Sequence, residues 1–146
     1  MTDAVAGSWF QRVLLDSYQE LSSQGLVQVD EGGADPRGEV VTRIHPAEGH
    51  NGPRIELRAQ QSTADLFIDD LEPFEIREEA EGDRKDFAAL IKALVAGGAG
   101  IRQVRGLRGW KTSAIVWSTG EWEIGRGIGI PRQFLSQRHD PLPKYL

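Results

Sequence analysis

The stretch RIELRAQQSTADLFIDDLEPFEIRE, residues 54–78, carries the pattern that decides the fold. In Arg54–Gln60 the apolar Ile55, Leu57 and Ala59 alternate with Glu56, Arg58 and Gln60. A period of two sends successive side chains to opposite faces, so the run reads as a strand with one wet face. Ala64–Asp69 repeats the pattern, with Leu66 and Ile68 on one face and Asp65, Phe67 and Asp69 on the other. After a turn at Asp70–Pro73, Phe74–Glu78 sets Phe74 and Ile76 opposite Glu75 and Arg77. Alternating runs joined this closely favour an antiparallel meander.

Working upstream, Glu39–His45 carries the β-branched Val40, Val41, Thr42 and Ile44 and reads as a further strand. Pro46–Pro53 is a loop with an Asn51-Gly52 turn signal. Leu26–Val29 is a candidate short strand, and Asp30–Gly38, with Gly32, Gly33, Pro36 and Gly38, a turn-rich loop. Ala4–Ser23 reads as a helix, because Trp9, Phe10, Val13, Leu14, Tyr18 and Leu21 recur at helical spacing; Gly25 ends it.

Downstream, Asp83–Ala96 is the best-delimited element. Asp83 is the expected N-cap, Phe87, Leu90, Ile91, Leu94 and Val95 form an inward stripe, and Gly97-Gly98 terminates it. Ile101–Leu107 and Ala114–Ser118 read as strands, while Trp122–Ile130 is ambiguous between strand and glycine-rich loop. Pro131–Gln137 reads as a short helix, and 138–146, with Pro141 and Pro143, as an extended tail. No internal repeat or low-complexity linker divides the chain. The expectation is one α+β domain over 1–146, its antiparallel β-sheet packed against an N-terminal helix and a central amphipathic helix.

At 146 residues the chain has the size of one domain. It lacks cysteine, which removes disulfides, thiolate metal sites and cysteine nucleophiles, and fits a reducing compartment. Met1–Ser8 does not have the pattern of a secretory signal, and Phe87–Ala96, interrupted by Lys92, is too short to span a bilayer. A cytoplasmic location and no membrane partner are expected. The net charge of −5 is unevenly distributed: residues 1–98 carry 19 acidic and 9 basic side chains, and residues 99–146 carry 3 and 8. Such polarity steers charged partners, or reflects faces that complement each other within the fold.

The run 65–86 concentrates ten acidic residues against three basic ones. Asp65, Asp69, Asp70, Glu72 and Glu75 are therefore the candidate partner-binding set. An acidic surface repels nucleic acid and suits a basic protein; the structural alternative is a solvated hairpin whose charges guard a sheet edge. Trp110 and Trp122 flank a strand and complete the candidate set as binding anchors or core-edge packing. Arg102, Arg105, Arg108 and Lys111 with Trp110 form a basic, aromatic segment, the alternative site for a small ligand or nucleic acid; pairing with the acidic hairpin would account for the same charges. No catalytic, metal or cofactor site is assigned. Gly109-Trp110-Lys111 breaks phosphate-loop spacing, no GxSxG or HExxH occurs, and His45 and His50 read as surface residues of a loop.

The stretch from Arg54 to about Leu107 resembles small bacterial immunity-like proteins of polymorphic toxin systems. The matching residues are Ala64-Asp-Leu-Phe-Ile-Asp-Asp through Pro73-Phe-Glu-Ile, the helix Asp86-Phe-Ala-Ala-Leu-Ile-Lys-Ala-Leu-Val-Ala-Gly-Gly and the strand Ile101-Arg-Gln-Val. The resemblance covers about a third of the chain. It implies a non-enzymatic protein that binds and blocks a toxin, the acidic hairpin meeting a basic toxin domain.

Overall fold

The computed structural model of the protein describes residues 9–34, 36, 38–71, 73–106, 109–123 and 136–146. The expectations placed on 4–8, on Glu72, on 107–108 and on 124–135, including most of the short helix at 131–137, lie outside them.

Alternation dictates the first sheet. In β2, Val40–Pro46, the side chains of Val40, Thr42 and Ile44 are buried, while Arg43 is exposed. β3 (Ile55–Ala59), β4 (Thr63–Ile68) and β5 (Phe74–Arg77) show the same period of two. With β1, Val27–Ala34, they pair antiparallel in chain order as a five-stranded meander. Thr42 stands opposite Leu57, Leu57 opposite Leu66, and Leu66 opposite Phe74, so one inner row crosses four strands. A slip of one residue would turn the apolar set to water, which strongly specifies this register. β1 runs on to Ala34 through a register irregularity after Glu31, so part of the expected loop 30–38 is strand.

Two helices close the inner face. α1, Trp9–Ser23, contributes the buried Phe10, Leu14 and Tyr18, and α2, Glu81–Ala96, contributes Phe87, Leu90, Ile91 and Leu94. They share one core with Ile44, Leu57, Leu66 and Ile68. Phe10 and Phe87 meet edge to face with ring centroids 5.3 Å apart, a favoured aromatic geometry. Full burial of such side chains stabilises by about 1.5–3 kcal/mol each before chain entropy is counted.

Both helices end at the expected glycines. Gly25 and Gly97 have φ of 76°, and the next N–H in each case reaches five residues back, Leu26 to Leu21 and Gly98 to Ala93. These bonds satisfy carbonyls that the last turn leaves open. The start of α2 corrects the expectation for Asp83. Ala80 occupies the N-cap without a side-chain bond, and Asp83 Oδ2 instead accepts the Arg77 N–H at 3.1 Å. Its negative charge still lies in the favourable first turn.

Among the described residues a second antiparallel sheet accompanies the expected one. β6 (Gly100–Gly106), β7 (Gly109–Trp117), β8 (Gly120–Glu123) and β9 (Gln137–Pro141) form a second antiparallel sheet in the order β8-β7-β6-β9. α2 ends the meander, and β6 satisfies its backbone with β7 and β9 rather than with β5. Ile115 and Trp117 of β7 nevertheless seal the same core. The architecture is α+β. The expected tail is tied into it: 137–141 is strand, and Tyr145 is 5% exposed. No helix among the described residues is long and apolar enough to cross a membrane.

Candidate functional site

The meander's outer face, opposite the helix-covered one, carries an ordered charge lattice. Arg43, Glu56 and Phe67 lie in register across β2, β3 and β4. One row along stand Val41, Arg58, Asp65 and Glu75. Glu56 accepts 2.8 Å hydrogen bonds from Nε of both Arg43 and Arg58. Arg43 also reaches Asp30 at 4.0 Å, Arg58 reaches Glu39 at 3.9 Å, and the Arg58 guanidinium lies 5.4 Å from the centre of the Phe67 ring. Burial pushes the Glu56 carboxyl up, but hydrogen bonds and charge from Arg58 and Arg43 outweigh it and hold the group below its ordinary value. Exposed ion pairs of this kind contribute only about 0–1 kcal/mol, so the lattice orients side chains more than it stabilises the fold.

Negative charge is less well compensated where β4 meets β5. Asp65 stands between Arg58 and Glu75 in the sheet register. Its carboxyl is raised above its ordinary value by burial first, then by Glu75 and Glu39, with Arg58 pulling the other way. Arg58 is already engaged by Glu56 and Glu39. Glu75 is exposed, with Arg77 of its own strand 3.8 Å away. Asp65 and Glu75 are thus the members of the expected acidic set that the fold brings together.

Asp69 has a different use. Its φ of 48° places it in the left-handed region, where Asp is tolerated better than most residues. Its Oδ1 accepts the Arg54 N–H at 2.8 Å, and its own N–H reaches the Arg54 carbonyl at 2.9 Å. Asp69 closes the turn, and Asp70 is exposed beside it. Glu72 lies outside the described residues.

Both tryptophans of the candidate set lie on the second sheet. Trp122 packs between Phe74 of β5 and Trp117 of β7, with centroid distances of 5.4 and 5.8 Å, and so lines the seam of the two sheets. Trp110 is 36% exposed and stacks under Arg138 at 4.5 Å. The basic segment is divided. Arg102 is 8% exposed and bonded to Glu121 of β8 and to Ser113, so its charge is answered within its own sheet rather than by the hairpin. Arg105 and Lys111 are exposed, and Arg108 lies outside the described residues.

Beside the loop 46–54 the outer face deepens into a groove of about 800 Å³. Arg43, His45, His50, Arg54 and Phe67 converge on it, with Pro143 from the segment after β9. Spacing along the chain places His45 and His50 only at a loop. Alternation did mark Glu56, Arg58 and Phe67 as wet-face residues, and an aromatic ring there was the available signal for this surface. Its connection to Arg43 and Arg54 needed the strand register. Among the described residues no group of three or more His, Asp or Glu side chains is placed to hold a metal ion. Comparison of the chain with protein-family models, curated proteins and solved structures finds no match.

Proposed function

We propose that this chain is a non-enzymatic protein-binding domain of the immunity kind, which neutralises a basic toxin domain through the outer face of its five-stranded sheet. The observation that carries the reading is the position of Asp65. A half-buried carboxylate stands opposite Glu75 and feels the negative charge of Glu75 and Glu39, while Arg58, which faces it on the other side, is engaged by Glu56 and Glu39. A lysine or arginine from a partner would supply the missing positive charge, and such complementarity raises association rates and selects partners. Arg43, Glu56 and Arg58 are already held by one another, so little side-chain ordering accompanies docking.

Affinity capture from the native host, with the wild-type chain and an Asp65→Lys/Glu75→Lys variant side by side, tests this reading. The wild type should retain a basic protein whose toxic activity falls when the chain is added back, and the variant should lose both effects. Retention of housekeeping proteins only, or equal retention and inhibition by the variant, refutes it. The alternative use of 102–111 for nucleic acid loses one of its cations, because Arg102 is buried and bonded within the sheet.

A further inference from the structure

The groove beside loop 46–54 has features that the acidic end of the same face lacks. Its two carboxylates are committed internally: Glu56 receives both Arg43 and Arg58, and Asp69 receives the Arg54 amide. Arg54 itself is exposed, and among the described residues its guanidinium makes no ion pair or hydrogen bond. His45 and His50 line the same space, and Phe67, Pro46 and Pro143 supply apolar walls.

The loop that brings these groups together is fixed at several points. The His50 N–H bonds the Ala47 carbonyl at 2.9 Å, and Asn51 exchanges backbone bonds of 2.9 and 3.2 Å with Leu146. The Tyr145 hydroxyl donates to the Pro53 carbonyl at 2.6 Å. Gly52, at φ 144°, leaves room for the Tyr145 ring, which a Cβ would strike. A groove held in this way meets a ligand with little ordering cost, and about 800 Å³ falls within the range of small-molecule sites.

We infer that this groove binds a small ligand bearing an oxyanion, phosphate or carboxylate, on a compact aromatic or apolar body. The anionic head takes the donors of Arg54 with His45 and His50, since guanidinium and imidazole groups are suited to oxyanions. The body rests against Phe67, Pro46 and Pro143. This site goes beyond the proposed partner surface, and its failure leaves the Asp65–Glu75 reading standing.

The test is amide-resolved NMR of the full chain titrated with phenyl phosphate, benzoate, inorganic phosphate and benzyl alcohol. Phenyl phosphate or benzoate should give saturable shifts confined to residues 43–56 and 67–69, and the stronger of the two identifies the head group. Arg54→Ala, an exposed site whose folding is checked by an otherwise unchanged spectrum, should weaken that binding by about tenfold or more, the loss expected for one charged hydrogen-bonding group. His50→Ala should weaken it as well, and Arg105→Ala on the second sheet should leave it unchanged. No saturable shift with either aromatic anion, an equal response to benzyl alcohol, or full binding by Arg54→Ala overturns the inference. Inorganic phosphate binding as tightly as phenyl phosphate overturns the role of the apolar walls.

Discussion

Removing a single hydroxyl from Tyr145 should destabilise the protein more than removing its partner from Tyr18, although the two side chains touch each other. Both rings are buried, Tyr18 at 0% and Tyr145 at 5% exposure, and the hydroxyls lie 2.7 Å apart. A phenol carries one proton to donate. Tyr145 gives its proton to the Pro53 carbonyl, so Tyr18 must be the donor to Tyr145. Tyr145→Phe therefore strands two buried groups, the Pro53 carbonyl and the Tyr18 hydroxyl. At about 1–3 kcal/mol for each unsatisfied group, the expected loss is about 2–6 kcal/mol. Tyr18→Phe leaves the bond to Pro53 intact and removes one hydrogen bond, a loss of about 0.5–1.5 kcal/mol.

The double variant no longer strands the Tyr18 hydroxyl, so its cost should fall below the sum of the two singles by about 1 kcal/mol or more. Urea unfolding at neutral pH, followed by the fluorescence of the four tryptophans, gives all three values. Thermal midpoints should follow at about 2–4 °C per kcal/mol. A Tyr18→Phe variant as destabilised as Tyr145→Phe, or strict additivity, would show that the proton is not arranged in this way.

The same pair makes the fold sensitive to alkali. Burial pushes both phenols above their ordinary value. Above about pH 10 the unfolded chain releases tyrosine protons that the native state retains, so stability should fall as pH rises; the double Phe variant should show a shallower fall in unfolding midpoint. Asp65 gives the corresponding case in acid. Its raised carboxyl favours the protonated form in the native state, so its contribution is present below the ordinary aspartate range and is lost as pH rises through the folded value. Asp65→Asn should therefore raise the melting temperature at neutral pH, with the difference closing on acidification; a fall at neutral pH contradicts the assigned electrostatics. Leu66→Ala, at a fully buried position in the inner row, should cost about 2–5 kcal/mol in urea unfolding, whereas Phe67→Ala on the outer face should cost clearly less. Gly52→Ala combines a left-handed φ with a clash against Tyr145 and should lose about 1–3 kcal/mol by the same assay.

Local pattern and tertiary arrangement divide this protein cleanly. The alternation in Arg54–Glu78 was enough to assign Ile55, Leu57, Leu66, Ile68, Phe74 and Ile76 to a buried face, because in a strand the side-chain direction is set by the residue's own backbone. Helix α2 was similarly legible from its apolar stripe and Gly97, although its first turn was not, since Asp83 found a partner in the Arg77 amide. The density of carboxylates in 65–86 was also plain, but their use was not. Asp69 is taken up by the Arg54 amide, Asp65 stands beside Glu75, and both facts depend on which strands pair and in what register.

By itself, then, the sequence determined helices α1 and α2, strands β2–β7 in outline, the buried faces of β3–β5 and the acidic character of the hairpin, all of which follow from spacing along the chain; β8 and β9 read only as an ambiguous segment and a tail. Only the tertiary structure decided that β6–β9 form a second sheet, that Tyr145 locks onto Pro53 and Tyr18, and that Arg54, His50, Phe67 and Pro143 share one groove. Those contacts join residues as many as 127 positions apart. Their existence rests on the joint burial and pairing of the whole chain, which no local period encodes.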